Sequence, residues 1–146
     1  MEPALQINFL AILVCIVANF VIGFVWYGPL FGASWMREVG LDPEQKPSSA
    51  HMIKAMAMMG VGAFLTAYVL NHSTEVWRPS VWGHEGDLPT YMYGVFATMF
   101  TWVGFYLPQH FSSVAWEMRS WRLFFINAGN TFVSLAVMGQ ILSNWR

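Results

Sequence analysis

LQINFLAILVCIVANFVIGFVWY, Leu5 to Tyr27, contains no Asp, Glu, Lys, Arg or His and has fourteen Leu, Ile, Val or Phe side chains. At roughly −0.3 to −0.6 kcal/mol each, these favour membrane insertion by about 4 to 8 kcal/mol, which a single Asn19 does not reverse. As a helix the run extends roughly 34 Å, enough to cross a hydrocarbon core of ~30 Å. A cleaved signal peptide is the competing reading. Glu2, the absence of Lys or Arg before the run, and the run's length all speak against it. A retained first span is expected.

Composition supports a lipid setting. Only 10% of the 146 residues are charged, against about 25% in an average soluble domain, so a water-facing surface could not be covered. The formal net charge of −1 offers no basic face for nucleic acid. Cys15 is the only cysteine, which excludes an internal disulfide, and it reads as a small packing residue. The length suits one domain, residues 1–146.

Three further apolar runs follow at Met52–Leu70, Tyr91–Leu107 and Leu123–Leu142. Each is about 17 to 20 residues, within the spanning range, and none alternates polar with apolar as a barrel strand would. The expected fold class is an all-α integral membrane protein. Its four transmembrane helices, at about 5–27, 52–70, 91–107 and 123–142, form a small bundle. The polar, turn-rich DPEQKPSS stretch (Asp42–Ser49) links the first two spans, with Ser49 as a candidate helix cap. There is no internal repeat of the kind that marks inverted-repeat transporters.

The basic residues set an orientation. Arg37, Lys46, Lys54, Arg119 and Arg122 belong to the first and third connections, leaving Arg78 and Arg146 for the other side. The bias predicts a multi-pass protein of the inner (cytoplasmic) membrane with both termini on the outer, periplasmic side. Trp26, Tyr27, Trp35, Tyr106, Trp116 and Trp121 then fall at the inner boundary. Tyr68, Trp77, Trp82, Tyr91, Tyr93 and Trp145 fall at the outer one, where amphipathic rings meet headgroups. Gly28-Pro29 is expected to end the first helix, because proline disfavours helical geometry in the residue before it. Leu30 to Met36 would follow as an interfacial segment. Trp26, Tyr27, Pro29, Trp35, Trp116 and Trp121 are the candidate interfacial anchors. GPLFG lacks the Lys and Ser/Thr of a phosphate loop.

Polar residues inside the spans are the candidates for function, since exposing them to lipid is costly. Asn19, Asn127, Asn130, Ser134 and Gln140 could either glue helices together or line a polar path. Small or weakly polar stripes recur in every span: Ala11, Cys15, Asn19 and Gly23 in the first, Gly60, Ala63 and Ala67 in the second, and Gly94, Thr98 and Thr101 in the third. Such stripes suit close helix packing. The first and last helices are expected to pack together so that their amides face protein. No Asp, Glu, Lys, Arg or His occupies the middle of any span, which weighs against proton pumps and ion-coupled transport. His72, His84, Glu85 and Asp87 lack tight metal-ligand spacing, and His110 stands alone at a helix end. No cofactor, metal site or catalytic constellation is expected.

Two segments carry a family resemblance. NFLAILVCIVANFVIGFVWYGPLFGASWM (Asn8–Met36) and RLFFINAGNTFVSLAVMGQIL (Arg122–Leu142) contain the segments W-Y-G-P-L-F-G and I-N-A-G. They resemble the first and last helices of an uncharacterised family of small bacterial membrane proteins, domain-of-unknown-function family seventeen sixty-one. The middle helices match in hydropathy. The resemblance implies four membrane helices and no particular activity. The connection holding Trp77, Arg78, Pro79, Trp82 and His84 is longer than is usual for that family.

The expected role is that of a non-catalytic membrane protein acting by lateral helix contacts. Its partners would be the lipid bilayer and either the other subunits of a membrane complex, to which it is accessory, or further copies of itself. The alternative is an oligomeric channel or permease for a small neutral solute.

Overall fold

The computed structural model describes residues 5–146, and all regular structure among them is helical. The first helix, α1 (Phe9–Val25), begins later than hydropathy alone suggests. Asn8 is the reason: its side-chain oxygen accepts the N–H groups of Leu10 and Ala11, both at 3.0 Å, and caps the helix.

The other end of α1 corrects the expectation that Gly28-Pro29 is the exit. Proline has no N–H for the α-ladder, and the chain widens into a π-turn over Trp26–Leu30 instead of stopping. Phe31 N–H then donates to Trp26 O at 2.8 Å, five residues back. The break comes at Phe31, and α2 (Gly32–Val39) leads away from it. Gly32 is the glycine the turn requires, because a Cβ there would lie 2.6 Å from Tyr27 O. Gly28 has open space around it.

Helix α3 (Ser49–Val76) is capped by Ser48 rather than Ser49, with His51 N–H donating to Ser48 Oγ at 3.3 Å. It continues past Leu70, so His72 to Val76 are helical rather than part of a connection. The extra turns find partners within the protein: Asn71 Nδ2 donates to Gln6 O, and Glu75 is buried against two arginines. A single 3₁₀ turn (Pro79–Trp82) follows.

Then α4 (Thr90–Thr101), a π-turn (Trp102–Tyr106) and α5 (Leu107–Ala115) run head to tail. Pro108 does not end this rod. It lies in the first turn of α5, where its missing N–H is tolerated. Last comes α6 (Trp121–Asn144), with Ser120 as its cap.

By length and composition, three helices can cross a membrane: Phe9–Leu30, Ser49–Val76 and Trp121–Asn144. The α4–α5 rod, the third of the four expected spans, is not among them. Its apolar residues are diluted by Thr, Tyr and Trp, which lowers its mean hydropathy.

The closest crossing is α4 against α6. A Cβ on Gly94 would lie 2.6 Å from Gly139 O, and one on Gly139 would lie 2.8 Å from Gly94 O. Backbones this close let Thr98 donate to Leu135 O at 3.0 Å. Around the crossing, Ala11, Ile12, Cys15, Ala67, Leu70, Ala97, Leu135, Met138 and Leu142 form the core. The first and last helices do pack together, and they run antiparallel. Asn8 Nδ2 reaches Trp145 O at one end, and Trp26 Nε1 donates to Ile126 O at the other.

Substituting Gly94→Ala should therefore push α4 from α6. The expected cost is about 1–3 kcal/mol, the usual range for overpacking, read as a lowered unfolding midpoint in detergent. Gly28→Ala, in open space, should leave that midpoint unchanged to within a few tenths of a kcal/mol.

Candidate functional site

Burial divides α3 into unequal halves. Its second half buries Ala63, Ala67, Leu70, Asn71, Thr74 and Glu75. Its first half, Ser49 to Gly62, buries nothing. Beside the point where burial begins lies a cavity of about 230 Å³ between α1, α3, α6 and the π-turn that follows α4. Its polar lining is Asn19, Thr66, Tyr106, Asn130, Thr131 and Ser134, and Met58, Met59 and Met138 supply part of the apolar wall.

Several of these groups are already paired. Thr66 Oγ1 and Tyr106 Oη lie 3.2 Å apart. Thr131 Oγ1 donates to Ala128 O at 3.0 Å and lies 3.3 Å from His110 Nε2. Asn130 Nδ2 is different: it is buried and has no acceptor among the described residues. An unmade hydrogen bond of this kind costs about 1–3 kcal/mol.

Of the five polar candidates, Asn19, Asn130 and Ser134 thus meet at one cavity and the other two do not. Asn127 Oδ1 accepts from Tyr27 Oη at 3.0 Å, joining the π-turn of α1 to α6. Gln140 Nε2 donates to Tyr91 O at 3.0 Å near the opposite end.

The aromatic candidates also separate. Trp26 spends its N–H on Ile126 O (2.9 Å), and Tyr27 stacks edge-on against Trp35. The polar ends of Trp26 and Tyr27 are therefore committed to protein rather than to headgroups. Trp116 and Trp121 are exposed, as is Pro29 within the π-turn. Tyr93, expected at the outer boundary, is buried, and its Oη accepts from Leu88 N–H.

The feature that sequence reading passed over is a charged cluster at the end opposite α2. Arg78 and Glu75 are both about 99% buried, with Arg78 Nε 2.9 Å from Glu75 Oε1. That contact is ionic, without the alignment of a hydrogen bond. Arg146 meets the other carboxylate oxygen at 2.8 Å. Arg78 also donates to Ser143 O at 2.6 Å, placing a cation on the C-terminal carbonyls of α6, and lies 4.4 Å from the centre of the Tyr93 ring. The signal was the i, i+3 spacing of Glu75 and Arg78, legible only once α3 is known to reach Val76.

His72 Nδ1 pairs with Tyr68 O within α3, while His51 and His84 are exposed. Among the described residues, no group of three or more His, Cys, Asp or Glu is placed to hold a metal ion.

Arg78→Ala would strand the Glu75 carboxylate beside a half-exposed Arg146. A loss of about 3–5 kcal/mol is expected, as for any buried pair broken from one side. Arg146→Ala leaves Glu75 its buried partner and should cost clearly less. Comparing the two variants' unfolding midpoints in one detergent checks the order.

A protein-family model described as "Protein of unknown function (DUF1761)" matches residues 10–143, nearly the whole chain. No curated protein and no solved structure matches it.

Proposed function

We propose, for a chain that belongs to the DUF1761 family of unknown function, a non-catalytic role exercised through lateral helix contacts in a membrane. In this reading the protein is an accessory subunit of a larger membrane complex or a homo-oligomer. The observation that carries it is the unburied first half of α3. This segment presents Ile53, Ala57, Val61 and Leu65, one residue per turn and all exposed, with Ala57 as the small residue of the row. Lipid-exposed association depends on close van der Waals approach, which small residues permit, rather than on a hydrophobic drive.

In the same reading the α4–α5 rod is a fourth span. It packs along α6 over most of its length and brings the connection after α3 back to the side of α2. The basic residues near α2 and the start of α6 favour the cytoplasm for that side of an inner membrane. Both termini would then lie outside.

Two experiments test this. In a Cys15→Ser background, Val61→Cys and Ile53→Cys should form cross-linked adducts in native membranes. Leu13→Cys, on the exposed face of α1, serves as a control. Recovery of monomer alone at both α3 positions would remove the lateral-contact reading. For orientation, an impermeant thiol reagent should label Glu85→Cys and spare Gln45→Cys in intact cells; the opposite pattern would invert the topology.

A second reading, an oligomeric permease or channel for a small neutral solute, draws support from the uncharged polar cavity. It requires solute flux into proteoliposomes that Asn130→Ala reduces.

A further inference from the structure

A second space of about 430 Å³ lies between α1 and α3, and Asn19, Met59 and Asn130 line both it and the cavity. Its other walls include Phe20, Gly23, Phe24, Met52 and Met56. Phe24 is 78% exposed and Met56 56%, so this groove opens sideways, where lipid would lie. The two spaces adjoin along Asn19, Met59 and Asn130, one with a partly polar lining that suits a head group and the other an apolar groove.

We propose that these two adjoining spaces, which share Asn19, Met59 and Asn130 as lining, bind a neutral amphiphile whose head carries a hydrogen-bond-accepting carbonyl and whose hydrocarbon tail lies in the groove between α1 and α3. The proposal goes beyond the lateral-contact reading and uses other residues of α3, so either can fail alone.

Three observations select the ligand's chemistry. First, neither space is lined by Asp, Glu, Lys, Arg or His. A charged head would have no counter-ion, and burying an unpaired charge is far costlier than burying a carbonyl. Second, the unmet group is a donor: Asn130 Nδ2 needs an acceptor. An acceptor supplied by the head would remove the cost of leaving that donor unpaired. Third, Met58, Met59 and Met138 surround the head pocket. Their polarizable thioethers suit irregular or ring-shaped heads, including conjugated ones. For scale, a dry apolar cavity of about 150 Å³ holds benzene, so the head pocket takes a ring with carbonyl substituents. Entry needs no aqueous path, since the groove opens laterally.

A quinone-type ring and a glycerol ester share this carbonyl chemistry, and the test separates them. The full chain in nanodiscs would be titrated with a decyl-substituted benzoquinone and, separately, with monolaurylglycerol. Decylbenzene, which keeps the tail and lacks the acceptor, and decanoate, which carries a charge, are the comparisons. Binding of either carbonyl compound should exceed that of both comparisons. Asn130→Leu should weaken it by roughly 5- to 10-fold, the worth of one buried hydrogen bond of ~1–1.4 kcal/mol. Gly62 lines the head pocket and a Cβ there meets no atom within 4 Å, so Gly62→Phe adds a ring at the pocket wall without removing a polar group. It should abolish binding even if Asn130→Leu fails to fold. Equal affinity for decylbenzene, or unchanged affinity in Gly62→Phe, would overturn the proposal. So would failure of both carbonyl compounds to bind the wild-type chain.

Discussion

The buried guanidinium of Arg78 is the constraint on which the closed end of this bundle depends. One side chain, 1% exposed, pairs with Glu75 on α3, donates to the last turn of α6 and lies over Tyr93 of α4. Desolvating an arginine is expensive, and the expense is met only if every partner is in position at once. The helix ends at this side therefore cannot shift independently. Arg146 completes the neutralisation by occupying the second oxygen of Glu75.

From that end toward α2 the character of the structure changes in steps. Next to the ion pair come small residues and the Gly94–Gly139 crossing, where backbones nearly touch. Beyond it are the core around Cys15, Ala67 and Leu135, then the neutral cavity at Asn19 and Asn130. Past the cavity the first half of α3 has no buried residue. The bundle is closed by charge at one end and left open at the other, and the one buried side-chain amide donor without a partner among the described residues lies at the transition.

The sequence conveyed the helical class, the approximate place of the three helices long and apolar enough to cross a membrane and the pairing of the first and last helices, because insertion energy and small-residue stripes are local properties of a chain. Gly94 and Thr98 could be picked out for the same reason. What stayed hidden depended on partners distant in the chain. Pro29 looked like a stop and the third run was bounded at Leu107, just before Pro108, but a π-turn absorbs the first proline and a helix start accommodates the second. Asn127 and Asn130 looked equivalent. Only the approach of Tyr27 satisfies one and leaves the other facing a cavity. Glu75 appeared to be a loop residue because its helix had to be extended by contacts with Gln6 and Arg146 that hydropathy does not register.

The π-turns have a mechanical effect. Each brings an indole to α6: Trp26 donates to Ile126 O and Trp102 to Ala128 O, at 2.9 and 3.0 Å. Two tethers two residues apart fix the rotation of α6 about its own axis, since any roll would break both. With α6 held as a keel and the far end of α3 locked by charge, the first half of α3 is the part of the helix that no buried residue holds. Fourteen helical residues form a lever of about 21 Å, so a tilt of about 10° at Ala63 carries Ser49 through about 4 Å. The groove beside α1 would widen or narrow by that stroke while the ion pair and the glycine crossing stay still.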